Sequence, residues 1–508
     1  MNKMKNNKKE IINKTPRRTV ARKKPSGLKK MIVVVFVCFC VFGVLGVGAY
    51  LLGKFSLQDI KNISVNTFRK TLTQTIGVES QKDEQGNINV LLVGVGGGKH
   101  SGGYLADTII VASFDPENTS LTMLSIPRDL YVREGTHTNK INSVFARGYA
   151  RGGKNIASGA NLLKTKVSEI VGLDIPYYAV VDFKGFENFV DALSGITVNV
   201  PETIYDTTYP VVEQEEDGFG KYGTFYLQAG EHVLDGATAL KYARSRHSTS
   251  DFSRSLRQQQ IIHAVKDKIL EGGVSVSKIK EYYALYHDMV VTNFSLQEML
   301  GLLKYLKKNE DTDGHKNALN INSIGLNVNC GYADFKRTNP GCFLYYPKRE
   351  DFNGAAAILP IGATVSHISY YDYIKVFANL IFHDQKYLIE KAPIIVENAI
   401  DKTFAKQNKT MVSGWAGKVA SKLKKFGFTV KEIKNAGLEL AKTTIVLPGT
   451  GGVNYSGTIE TLKHFIPVSD IVVSTDTGST NLEILLGNDF ITQVVGSGFD
   501  FNKFIEEK

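Results

Sequence analysis

Residues 31–52, MIVVVFVCFCVFGVLGVGAYLL, run for 22 positions without a charge. As a helix rising ~1.5 Å per residue this run is about 33 Å long, enough to cross a hydrocarbon core of roughly 30 Å. A cleaved signal peptide is the competing reading, but secretory apolar cores are only about 7–15 residues long. The length therefore predicts an uncleaved transmembrane helix. Ahead of it, residues 1–30 hold twelve Lys or Arg against one acid, Glu10, and such a basic flank stays in the cytoplasm. A single-pass plasma-membrane protein is expected, with a cytoplasmic N-terminus and everything beyond Leu52 outside.

That tail also accounts for the net charge of +11, because the other 478 residues balance at 49 basic and 49 acidic. A nucleic-acid binder needs a basic face on its folded part. Nucleic acid is thus not an expected partner, whereas the lipid bilayer is. Cys38 and Cys40 fall inside the apolar run and behave as small hydrophobes. Cys330 and Cys342 complete the set of four. An oxidising exterior favours a disulfide between them; a zinc site, the rival, lacks a close His partner.

Beyond the anchor, residues 53–87 read as a polar stalk ending in the turn-like DEQGN, and NINVLLVGV (88–96) is strand-like. DTIIVASF (107–114) and SLTMLSI (120–126) flank turn residues, a β-hairpin. Centring its turn on Glu117 predicts that Asp107 faces Pro127. Helical spacing over 160–171 and 184–194 alternates with strand-like YYAVV (177–181) and ITVNV (196–200). Ile262, Val265 and Ile269 mark an amphipathic helix from Ser255 onward, for which Asp251 or Ser253 is a candidate cap. Another helix is expected over 296–308, and AAAILPIG (355–362) and residues 370–382 read as a closing strand and helix. Together these predict an α/β fold over 88–384, a mixed central sheet flanked by helices. Charged residues near 383–392 precede a fresh pattern, which predicts a smaller α/β domain over 392–490.

Three clusters carry residues suited to chemistry. GVGGGKHSGG (94–103) is no P-loop, since Gly98-Lys99 runs into His100 and Val93 stands where a glycine is needed. Nor is it a dinucleotide fingerprint, with Lys99 at the third glycine position. It reads as a site-edge loop or a plain connection. SIPRD (125–129) brings Arg128 to a strand end near Asp107, where a simple salt bridge is the bland reading. The third cluster is denser: Arg244, Arg246, Asp251, Arg254, Arg257 and Gln258. Arg244 and Arg246 share a side if the chain is extended there, and Arg254 and Gln258 share a helical face. Arginines this close repel unless they surround an anion, and their forked donors suit the oxygens of a pyrophosphate. A solvated basic face is the alternative.

These stretches also carry a family resemblance. LADTIIVASFDP, SIPRDLYV followed by KINSVF, YYAVVDFKGFENFVDALSGITVNVP, LDGATALKYARSRH and SDFSRSLRQQQII resemble the LytR–CpsA–Psr family in order and spacing. They span residues 88–270, a weaker similarity runs to about 384, and 392–490 resembles the C-terminal domain of some members. The resemblance implies a membrane enzyme that accepts a polyprenyl-pyrophosphate-linked glycopolymer and passes the sugar phosphate to peptidoglycan, or sometimes to protein. It implies an apolar pocket for the lipid tail, and arginines, often with magnesium, on the pyrophosphate. Carried over by position, Arg128, Arg244, Arg246 and Arg254 match the phosphate-holding arginines and Gln258 a polar partner. Asp107 matches a metal-linked acid and Asp251 an acid of the site; Arg257 joins the pyrophosphate group by its place in the cluster.

Two departures stand out. The family's Asp shortly after the first strand is replaced by Gly-Gly-Gly-Lys, and its Arg two positions before the Asp of the DT pair by Leu105. His100 and Lys99 are the candidate replacements, so magnesium is an open question. The expected activity is phosphotransfer, with Arg128, Asp107 and Asp251 as catalytic groups. A non-catalytic wall-binding or regulatory membrane protein is the alternative, and hydrolysis of the pyrophosphate is a third reading.

Overall fold

The apolar run Ile88–Val95 forms β1, a central strand of a six-stranded sheet. β2 (Ala106–Asp115) and β3 (Ser120–Ser125) make the expected hairpin beside it, and β4 (Tyr131–Glu134) and β5 (His137–Lys140) a small second one. Helices α1 (Asn142–Arg151) and α2 (Ile156–Val171) carry the chain to β6 (Tyr177–Asp182), which pairs parallel with β1. Asn155 starts α2 by accepting the Ser158 N–H at 3.2 Å, and Gly172 ends it in the left-handed region at φ +71°. Next come α3 (Phe183–Ala192), β7 (Ile196–Val200), the hairpin of β8 (Ile204–Val212) and β9 (Lys221–Leu227), and β10 (Gly230–Leu234). They are followed by α4 (Gly236–Arg244) and α5 (Asp251–Gly272). β11 (Val290–Thr292) and β12 (Asn320–Gly325) complete the sheet in the order β11-β6-β1-β2-β3-β12, mixed as expected.

This computed structural model describes residues 80–495, apart from 99–101, 213–220, 246–250, 273–289, 295–319 except Glu298, 329–337, 353, 409–412, 450–454 and 477. The anchor expected at 31–52 and the helix expected at 296–308 lie outside the described residues. Among the described residues no helix is long and apolar enough to cross a membrane.

Two expectations need correction. Asp115 faces Ser120 and Ile110 faces Ser125, one step from the expected register. The turn is the four residues between them: the Asp115 carboxylate accepts the N–H groups of Glu117 and Asn118 at 2.8 and 3.0 Å, and Thr119 takes φ +47°. The stretch 355–362 adds no strand to the central sheet. Its strand is only β14 (Leu359–Pro360), paired with β13 (Leu344–Tyr345), and a proline without an N–H suits such an edge.

One face of the sheet, with Leu91, Val93, Val111 and Leu124, packs on Phe145 of α1, Leu163 and Val167 of α2, and Ile374 and Phe377 of α6 (Asp372–His383). Each such side chain contributes roughly 1.5–3 kcal/mol when fully buried. The segment 383–392 is a packed joint: Gln385 is 0% exposed and accepts from the hydroxyls of Ser120 and Thr122. It includes α7 (Lys386–Glu390) and leads into a second mixed sheet of five strands. These are β15 (Ile394–Asn398), β16 (Val430–Asn435), β17 (Thr444–Leu447), β18 (Asp470–Val473) and β19 (Leu482–Leu486), ordered β16-β15-β19-β17-β18. Phe343, Phe377 and Phe426 pack their rings tilted or edge-on, 4.9–5.9 Å apart, so the two sheets share one continuous apolar core.

Candidate functional site

Arg128 leaves β3 through Pro127 in a tight turn closed by the Leu130 N–H donating to the Pro127 carbonyl at 3.0 Å. Its Nη1 donates to the Asp107 carboxylate at the start of β2, with the side chains 18% and 36% exposed. The corrected register makes this possible, since continuing it past Ile110 and Ser125 sets Asp107 opposite Arg128 itself. Asp129 lies 3.9 Å from Arg128 Nε and is held by Lys140 at 2.7 Å. A pair this exposed stabilises the fold by only about 0–1 kcal/mol, so its placement matters more than its strength.

The glycine-rich loop joins β1 to β2 at the same edge. Gly97 donates to the Gly103 carbonyl at 2.8 Å and takes φ +90°, where a side chain would be strained and would sit 3.3 Å from Asp182 Oδ2. Lys99 and His100 lie outside the described residues.

Asp182 ends β6 and caps α3, accepting the Gly185 N–H at 2.7 Å. The next residue, Phe183, carries the Arg244 guanidinium 4.2 Å over its ring centre. Arg244 also donates to the Tyr209 hydroxyl at 3.4 Å. Burial raises the Tyr209 pKa, with Arg244 opposing it, so this hydroxyl stays protonated. Asp182 pairs with Val95, and Val95 with Ala106. At about 4.8 Å per strand, some 10 Å of sheet separates the Asp107 side from the Phe183 side. Arg128 and Arg244 therefore border the same end of the sheet.

The rest of the arginine cluster divides. Arg246 lies outside the described residues. Asp251 and Arg254 occupy the first turn of α5, and Gln258 is half-buried on the next. Arg257 is turned inward. It is 6% exposed, with Nε donating to the Tyr242 carbonyl at 3.0 Å and Nη2 to the Ser245 carbonyl. Burial lowers its pKa, while Tyr242, Glu202 and Asp206 act the other way. Gln259, which the sequence reading passed over, donates to the Ser125 hydroxyl at 3.2 Å and ties α5 to the strand end before Arg128. Phe183, Tyr209, Asp206 and Ser245 were missed as well. Only Asp182-Phe183 carries a local signal, an acid capping a helix directly after a strand.

Magnesium meets no ready donor set among the described residues. Among the described residues no group of three or more His, Cys, Asp or Glu stands together, and the Asp107 carboxylate is engaged by Arg128.

An α/β domain with a charged cluster at one sheet edge is the class these features define. The chain belongs to the LytR_cpsA_psr family, whose profile matches residues 56–338. Residues 407–490 match the LytR cell envelope-related transcriptional attenuator profile. The chain is 29% identical over 300 residues to the polyisoprenyl-teichoic acid–peptidoglycan teichoic acid transferase TagT of Bacillus subtilis (strain 168), covering 57% of this chain and 85% of that protein. It is 33% identical over 213 residues to the regulatory protein MsrR of Staphylococcus aureus (strain COL), covering 41% of this chain and 57% of that one. The crystal structure of B. subtilis TagV aligns over 58% of this chain and 97% of its own, at 25% identity and a TM-score of 0.39.

Proposed function

We propose that this protein is a single-pass membrane phosphotransferase that moves a polyprenyl-pyrophosphate-linked glycopolymer onto peptidoglycan or a surface protein. Family membership and the similarity to a named teichoic acid transferase support the reading. The observation that supports it is that Arg128, paired with Asp107, and Arg244, over the Phe183 ring, border the same end of the sheet although they stand 116 residues apart in sequence. Residues 31–52 anchor the chain, 88–384 form the catalytic domain, 392–490 form an appended domain, and Cys330 pairs with Cys342.

An acceptor hydroxyl attacks the sugar-proximal phosphorus. The new P–O bond forms as the anhydride P–O bond breaks, and polyprenyl phosphate leaves with the electron pair. The hydroxyl proton passes to a carboxylate, Asp107 or Asp251. Arg128 and Arg244, joined by Arg246, Arg254 and Gln258, offset the developing negative charge, so positioning and electrostatics supply most of the rate. No step is routed through a metal.

The test supplies the full-length protein with a polyprenyl-pyrophosphate glycan donor, labelled in the sugar, and with peptidoglycan. Label bound covalently to peptidoglycan, with release of polyprenyl phosphate, is the expected result. Free glycan phosphate would instead identify a hydrolase. Donor binding without turnover would favour the regulatory reading, which Leu105 and the similarity to MsrR support.

A further inference from the structure

Arg257 is the last arginine of the cluster by sequence, yet its guanidinium points into the protein. It satisfies the carbonyls of Tyr242 and Ser245, at the C-terminal end of α4, where a helix leaves carbonyls unpaired and its dipole favours a cation. Ser245 is 1% exposed and is held from the other side as well, its hydroxyl donating to Asp206 Oδ2 at 2.8 Å. The other Asp206 oxygen accepts the Thr208 N–H at 3.0 Å, which fixes the carboxylate on β8. Arg244 precedes Ser245 directly. Its side chain runs between Phe183 on α3 and Tyr209 on the same strand as Asp206. Backbone and side chain thus share one wall, β8, with α5 holding the backbone and α3 the side chain.

We propose that Arg257 is a positioning residue, not a phosphate ligand: with Asp206 and Ser245 it locks the end of α4 so that Arg244 is aimed at the candidate site. This rests on the phosphotransferase reading for its effect on turnover, but the locking itself does not.

Two readouts separate the two. The first is modification of Arg244 by phenylglyoxal in the full-length protein, mapped by peptide mass spectrometry in wild type, Ser245→Ala, Arg257→Lys and Arg257→Met. Release of Arg244 predicts a severalfold faster reaction at Arg244 in Ser245→Ala and Arg257→Met. Arg257→Lys falls between, because lysine keeps the charge and loses the fork. Ser245→Ala removes one hydroxyl and keeps the test valid if Arg257→Met does not fold. An unchanged Arg244 rate in folded variants overturns the proposal, whatever the protein's activity.

The second readout is transfer from the labelled donor. A positioning role predicts that Arg257→Met lowers kcat about tenfold or more with KM within about twofold. Combined with Arg244→Ala it should add less than about twofold, because two residues acting through one contact are not additive. Full additivity, or a loss confined to KM, would make Arg257 a direct ligand and overturn the proposal. Faster Arg244 modification in a protein with no transfer at all would leave the locking intact and remove the phosphotransferase reading instead.

Discussion

Arg128 and Asp107 face each other across the open end of the β2–β3 hairpin, the guanidinium donating to the carboxylate. The pair links the ends of the two strands, and the guanidinium Nε lies 3.9 Å from the Asp129 carboxylate. Each charge-assisted contact to a bound phosphate is worth roughly 1.5–3 kcal/mol, so Arg128→Ala is expected to cost about ten- to a hundredfold in transfer. Arg128→Lys should recover part of that loss, since it restores charge without the fork. Near-normal transfer by a folded Arg128→Ala protein would remove Arg128 from the site.

Magnesium dependence is expected to be weaker than the family resemblance implies, because Gly-Gly-Gly-Lys replaces an acid and Asp107 is paired with Arg128. Transfer should persist in excess chelator at a reduced rate. Abolition by chelator with recovery at low magnesium would show that a donor set exists after all.

Export predicts two linked results in intact cells. A protease outside should remove the domains beyond Leu52. Cys342 is disulfide-bonded, and Cys330 lies outside the described residues, so both thiols should resist labelling until a reductant is added. Immediate labelling of both would exclude a bridge between them.

Asp83 and His383 pin the end of the expected stalk to the C-terminus of α6 at 3.1 Å. Burial alone would raise the Asp83 pKa. Hydrogen bonds from His383, Asn89 and the Asn87 N–H outweigh it and hold the group below the ordinary carboxylate value. A depressed folded pKa adds stability that is complete above the unfolded value, about 4, and is lost as pH falls through the folded one. Asp83→Asn should therefore melt lower than wild type at neutral pH, and the gap should close under strongly acidic conditions. Equal melting temperatures at pH 7 would show that this contact contributes nothing.

Local patterns in the sequence were enough for β1, the β2–β3 hairpin, β6, β7 and the helices α2, α3, α5 and α6, and they missed α1, β4, β5 and β8 to β13. Turn residues between two β-rich runs marked the β2–β3 hairpin, and alternating strand and helix periods marked the first mixed sheet and a second α/β domain. These features are legible because they depend on residues within a turn or two of each other. The hairpin register missed by one step because it depends on which side chain closes the turn, and the Asp115 carboxylate shortened the connection. The direction of Arg257 was beyond local reading for a different reason. Spacing puts Arg254, Arg257 and Gln258 together, but which face of α5 meets α4 is set by packing against elements far off in sequence. That packing, with Gln259 on Ser125 and Arg257 on Ser245, turned one arginine of the cluster inward. It also brought Phe183 and Tyr209 to Arg244, contacts that no spacing in the chain announces.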